Sequence, residues 1–101
     1  ESCCPGLPTT LVVKRVSDDS TLVTITYTDS LPHVLAHPPG WQADYEGGII
    51  EFYCLNDGGV EYWALDDAEG GLHYVELSCC GRITFEGTLH GDLYIDLPPC
   101  D

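Results

Sequence analysis

The sequence predicts an antiparallel all-β domain: a disulfide-stapled β-sandwich or small barrel of about eight strands. Three observations predict it. Short runs of alternating apolar and polar residues recur along the chain. Eighteen glycines and prolines face only four alanines in 101 residues. Six cysteines, Cys3, Cys4, Cys54, Cys79, Cys80 and Cys100, supply covalent staples. Helical periodicity is absent, and 101 residues make one domain (1–101) whose core gains from cross-linking.

The predicted strands cover 9–16, 20–28, 41–46, 49–55, 60–65, 72–78, 82–88 and 92–97, with 31–36 as a weaker ninth. Each break between them has a turn chemistry. Ser17-Asp18-Asp19 turns the first hairpin, and Asn56-Asp57-Gly58-Gly59 joins two strongly apolar runs, glycine supplying the positive φ. Glu46-Gly47-Gly48, Asp66 to Gly71 and His90-Gly91 punctuate the others. Alternation assigns faces. Val23, Ile25 and Tyr27 share one side of their strand; Ile50, Phe52 and Cys54 alternate with Glu51 and Tyr53; Leu93, Ile95 and Leu97 alternate with Asp92 and Asp96. In the run 60–65, Tyr62 alternates with Glu61 and Trp63, which sets Trp63 and Tyr53 on the outer face as a cross-strand aromatic pair or a contact platform.

Two stretches stand apart. The N-terminal arm (1–8) carries Pro5, Leu7 and Pro8. The proline-rich connection (31–40) carries Leu31, Pro32, Val34 and Leu35 and almost no charge. Prolines limit the connection to an edge strand. Exposed apolar arms on an acidic body are the expected places for a partner to attach.

Cysteine usage points to an oxidising compartment, because Cys-x-x-Cys metal spacing is missing. Adjacent cysteines seldom bridge each other, which leaves ten connectivities open. An up-and-down strand order puts Cys54, Cys79, Cys80 and Cys100 at one pole, with Cys3 and Cys4 at the other. It favours a bridge from Cys54 to Cys79 or Cys80, the remaining cysteines closing within the chain or onto a neighbour. The chain has no methionine, so the expected N-terminus is a processed one, consistent with secretion to the cell surface.

Seventeen acids against three bases, Lys14, Arg15 and Arg82, make nucleic acid and anionic membrane poor partners. No apolar run reaches the length of a membrane span. Cations, basic proteins and neutral glycans remain open as partners.

Catalytic signatures are missing: there is no Gly-x-Ser-x-Gly elbow, phosphate loop or dinucleotide fingerprint. A carboxylate pair for glycoside hydrolysis arises easily by chance among seventeen acids. The expectation is a non-enzyme without a required cofactor. Calcium is the one metal the loops suit, through Asp57, Asp66, Asp67 and Glu69, hard oxygen ligands on turns. His33 and His37, four apart, have the spacing of a shared zinc site or proton switch, against the plainer reading of two surface histidines.

The opening Cys3-Cys4-Pro5-Gly6-Leu7-Pro8-Thr9-Thr10-Leu11, with Thr-rich strands and a later Cys79-Cys80-Gly81, resembles small secreted cysteine-rich β domains of unknown function from planctomycete-type bacteria. The resemblance implies an extracellular β-sandwich and transfers no functional residue.

Together these features predict an extracellular structural protein, a self-assembling, homopolymeric fibre subunit joined through its extended arms and disulfides. The alternative is a monomeric extracellular binding module for carbohydrate or a basic protein, calcium-assisted, with Trp41, Tyr45, Tyr53, Tyr62, Trp63 and Tyr74 as stacking surfaces.

Overall fold

The computed structural model describes residues 4–67 and 71–100. It contains eight strands: β1 (Thr10–Arg15), β2 (Thr21–Thr28), β3 (Gly40–Tyr45), β4 (Gly48–Asp57), β5 (Val60–Asp66), β6 (Leu72–Glu76), β7 (Arg82–Thr88) and β8 (Gly91–Asp96). All pair antiparallel in one sheet of order β6-β5-β4-β3-β2-β1-β8-β7. Strands β1 to β6 follow one another as a meander, and β8 returns to β1. The sheet therefore curls into a nearly closed barrel whose two free edges, β6 and β7, lie alongside each other. The predicted ninth strand is not one: residues 32–36 form turns and a bend, with Pro32 near their start and positive φ at Ala36 and His37 closing them.

Alternation along each strand sends one set of side chains inward. Val13, Ile25, Phe52, Trp63, Leu65, Phe85 and Ile95 are all buried in one continuous core. Phe52 and Trp63 stack with centroids 4.4 Å apart, and Trp41 meets Trp63 edge-on at 6.1 Å. An interior filled by side chains makes this barrel a solid body rather than a ligand container. Removing one of its large rings, as in Phe52→Ala, costs about 3–5 kcal/mol in such a core.

The hairpin β4–β5 corrects the expected outward Trp63. Asp57 pairs with Val60 across a two-residue Gly58-Gly59 turn, which sets Cys54 opposite Trp63. Trp63 then shares the inward face of Cys54 and Phe52, and its indole N–H donates to the Ser78 carbonyl at 2.7 Å. Trp41 is likewise buried, and its indole N–H donates to the Pro8 carbonyl at 3.0 Å. Both indoles thus anchor chain segments that cross one end of the barrel.

That end holds the disulfides. Cys4 bridges Cys79, and Cys80 bridges Cys100. Cys54 is disulfide-bonded as well, and no described cysteine is free. The expected bridge from Cys54 to Cys79 or Cys80 is therefore corrected, since both are taken by other partners. The expected separation of the poles is corrected too. With an even number of strands, the start of β1 and the end of β8 meet at the same end, so Cys4 lies beside Cys79. Cys3 lies outside the described residues. Bridges of this kind belong to an oxidising environment. No helix among the described residues is long and apolar enough to cross a membrane.

Candidate functional site

The outer surface of β4 and β5 carries a second, smaller apolar cluster. Leu31, Tyr53 and Ala64 are buried there, with Val34 and Leu55 packed against them. What covers them is the connection between β2 and β3, predicted as an arm and found folded down along the barrel wall. Leu31 accounts for this. Its side chain is fully buried, its N–H donates to the Pro38 carbonyl at 2.9 Å, and the His37 N–H donates to the Val34 carbonyl at 2.9 Å. His37 Nδ1 sits 3.0 Å from the Leu31 carbonyl, so this ring closes its own loop. His33 instead approaches the wall at Glu51, and the two histidines do not converge.

The loop seats closely because Gly40 follows it. A Cβ at Gly40 would lie 2.6 Å from the Phe52 carbonyl oxygen, 2.7 Å from Leu31 Cδ1 and 2.9 Å from Tyr53 Cβ. Of the residues predicted as an assembly arm, Leu31 is thus unavailable to a partner in this fold. Pro5 and Leu7 line a small hollow over the barrel end with Trp41, and Pro8 holds the Trp41 indole. Leu35, at the loop tip, is 94% exposed.

Beside the loop lies a groove of about 510 Å³. Its apolar sides come from Val34, Leu35, Leu55, Leu72 and Tyr74, with Tyr53 and Asp66 also lining it. Tyr74 is 52% exposed and Leu72 43%, both on the edge strand β6. Apolar side chains this exposed, side by side on a wall, are the pattern of a contact surface.

Asp66, which lines the groove, is backed by a second carboxyl on β4. Glu51 pairs directly with Asp66 on β5 and with Gln42 on β3. Glu51 is only 1% exposed, and its Oε2 has no hydrogen-bond partner. Burial pushes the Glu51 carboxyl above its ordinary value, Asp66 adds to the rise, and a backbone hydrogen bond from His33 opposes it. Burial likewise raises Asp66, with Asp67 adding and His33 opposing. Burial also raises the Tyr53 phenol, and Asp66 reinforces it. Two like charges directly opposed across a strand pair destabilise, so this pair favours a proton or an approaching cation.

The residues predicted for calcium are dispersed. Asp57 stands at the far end of β4, six residues and roughly 20 Å from Glu51 at strand spacing. Asp66 faces the groove, whereas Asp67 is buried with its carboxylate 3.8 Å from His90 Nε2. Glu69 lies outside the described residues. Among the described residues, no group of three or more His, Cys, Asp or Glu side chains is placed to hold a metal ion. Of the predicted stacking surfaces, Trp41 and Trp63 are interior and Tyr45 packs edge-on against His90 at 5.0 Å. Tyr62 and Tyr74, 6.2 Å apart, face outward.

Glu51 and Asp66 as a pair were missed in the sequence. The signal was present: the Gly58-Gly59 turn that sets Cys54 against Trp63 also sets Glu51 against Asp66. In comparisons with known proteins, no family model matches the chain, and neither does any curated protein or solved structure.

Proposed function

We propose that this protein is a secreted structural subunit that assembles with copies of itself through the groove beside β6. The observation that carries the reading is the exposed row of Leu35, Leu72 and Tyr74, next to an edge strand and on a body of net charge −14. The apolar row gives a neighbour area to bury beside β6. The bridges Cys4–Cys79 and Cys80–Cys100 close within the chain, and the joint we propose is non-covalent. Net charge opposes association, so assembly requires screening, divalent cations or protonation.

The test is sedimentation of native protein, joined to electrophoresis and intact mass with and without reductant. The expected result is a non-reduced band near 11.0 kDa. All six cysteines should be bridged. Large particles should form in solution with millimolar calcium, or below about pH 4.5, where carboxylates protonate. A chain that stays monomeric under every such condition sinks the proposal.

A further inference from the structure

The two halves of the barrel wall differ in charge. Strands β4, β5 and β6 carry five acids, Glu51, Asp57, Glu61, Asp66 and Glu76, and no lysine or arginine. Strands β7, β8 and β1 carry all three bases of the chain, Lys14, Arg15 and Arg82, against three acids. Around an eight-stranded barrel in this order, β1 lies across from β5. The outward face of β1 presents Val12 and Lys14, and the exposed Val16 follows in the turn just beyond the strand. Lys14 forms no ion pair among the described residues, whereas Arg82 is held by Asp96 at 2.9 Å and Arg15 bonds the Ser20 hydroxyl. One wall therefore offers an apolar stripe with an uncommitted ammonium. The opposite wall offers an apolar groove lined by Asp66, whose carboxyl pairs across the strands with Glu51 on a wall without lysine or arginine.

Resting on the assembly reading above, we propose that the occupant of the groove is the β1 wall of a second copy, with Val12 and Val16 against Leu72 and Tyr74 and the Lys14 ammonium against Asp66. Donor and acceptor are different surfaces on opposite sides of one barrel, so the contact is heterologous. Each copy fills one groove and offers one stripe, and the contact propagates as a filament rather than closing on itself. The same pairing explains how so acidic a chain associates. Salt near ~0.15 M screens the long-range repulsion beyond about 8 Å, while a desolvated pair in the joint is screened much less.

The experiment uses K14E and D66K in the full oxidised chain at pH 7, where carboxylates are ionised, with millimolar calcium and about 0.15 M salt. Far-ultraviolet circular dichroism and melting confirm folding of each. Placing like charges across the joint costs several kcal/mol, so each variant alone should need at least about tenfold more protein to assemble than wild type. An equimolar mixture should recover. Lys14 of the D66K copy meets Asp66 of the K14E copy, and the reversed charges meet at the alternate joint. A folding defect cannot be rescued by mixing. If both variants assemble as wild type does, or the mixture fails to recover, this joint is wrong while the assembly reading stands. If wild type never assembles, both fall. A monomeric wild type that binds a lysine-rich peptide, with binding abolished in D66K, assigns the groove to a basic partner and overturns the proposal.

Discussion

The two halves of the barrel wall finish their outward faces in different ways. On the β7–β8–β1 side, Arg82 is neutralised within the chain, while Lys14 has no ion pair among the described residues. Arg82 reaches Asp96 through two hydrogen bonds and lies 3.8 Å from the centre of the Tyr94 ring, whose hydroxyl donates to Asp19 at 2.8 Å. Two bridges tie the lead-in of β1, the lead-in of β7 and the tail of β8 together on that side, and Cys54 on β4 is bridged as well. On the β4–β6 side no lysine or arginine answers the acids, and His33 offsets Glu51 and Asp66 in part. The loop between β2 and β3 brings the His33 backbone N–H to Glu51. The difference separates a wall where an exposed acid and base pair within the chain, at Arg82 and Asp96, from one where carboxyls face each other without lysine or arginine and draw a proton, a cation or another surface.

The largest expected effect breaks the fastened side. Replacing Cys4 and Cys79 together by alanine removes a cross-link spanning 75 residues. In the chain-entropy account this costs about 4 kcal/mol, read as the denaturant midpoint at unchanged slope. The bridge Cys80–Cys100 closes a shorter loop of 20 residues and should cost less, about 3 kcal/mol. Equal or negligible losses would mean that packing at the β6–β7 seam, rather than the staples, holds the barrel shut.

Next in size is Gly40→Ala, which acts on the other side. The added methyl meets the Phe52 carbonyl oxygen, which is backbone and cannot rotate away. Overpacking of this kind costs about 1–3 kcal/mol. The loop bearing Leu31 should lift first, so protection of the Leu31 amide from hydrogen exchange should fall more than that of the β1 amides. A uniform loss across the barrel would show that the loop and wall are one cooperative unit.

These two sites also show what was legible in the chain. All eight strands are readable from alternation and turn residues, because each strand has one face in a single core. The inward turn of Trp63 is not, although it follows from counting outward from Gly58-Gly59, a two-residue turn that fixes every pair in the hairpin. Pairing of Cys4 with Cys79 depends on strand parity around a closing sheet, a property of the whole topology rather than of any local segment. Docking of the loop 31–39 was obscured for another reason. Its prolines announce an irregular connection, but nothing local tells whether Leu31 meets solvent or the outer face of β5.

The smallest effect discriminates the two walls by sign. Glu51→Gln keeps a carbonyl oxygen to accept the His33 backbone N–H but removes the charge opposite Asp66. Glu51 titrates higher in the folded protein than in the unfolded chain, because burial disfavours its ionised form. Between those two values the folded state holds the extra proton, so stability falls as pH rises through that window. Below about pH 4, in the ordinary carboxyl range, both states are protonated and the penalty vanishes; above the raised folded value it is complete. The variant should therefore be more stable than wild type at pH 7, by about 0.2–1 kcal/mol on the scale of opposed like charges in a sheet. It should match wild type at low pH. Asp96→Asn removes a carboxylate on the other wall and should do the reverse, lowering the melting midpoint at pH 7 because it strips Arg82 of its partner. If both substitutions destabilise at neutral pH, Glu51 is compensated within the chain, and the β4–β6 wall loses its claim to need a cation from outside.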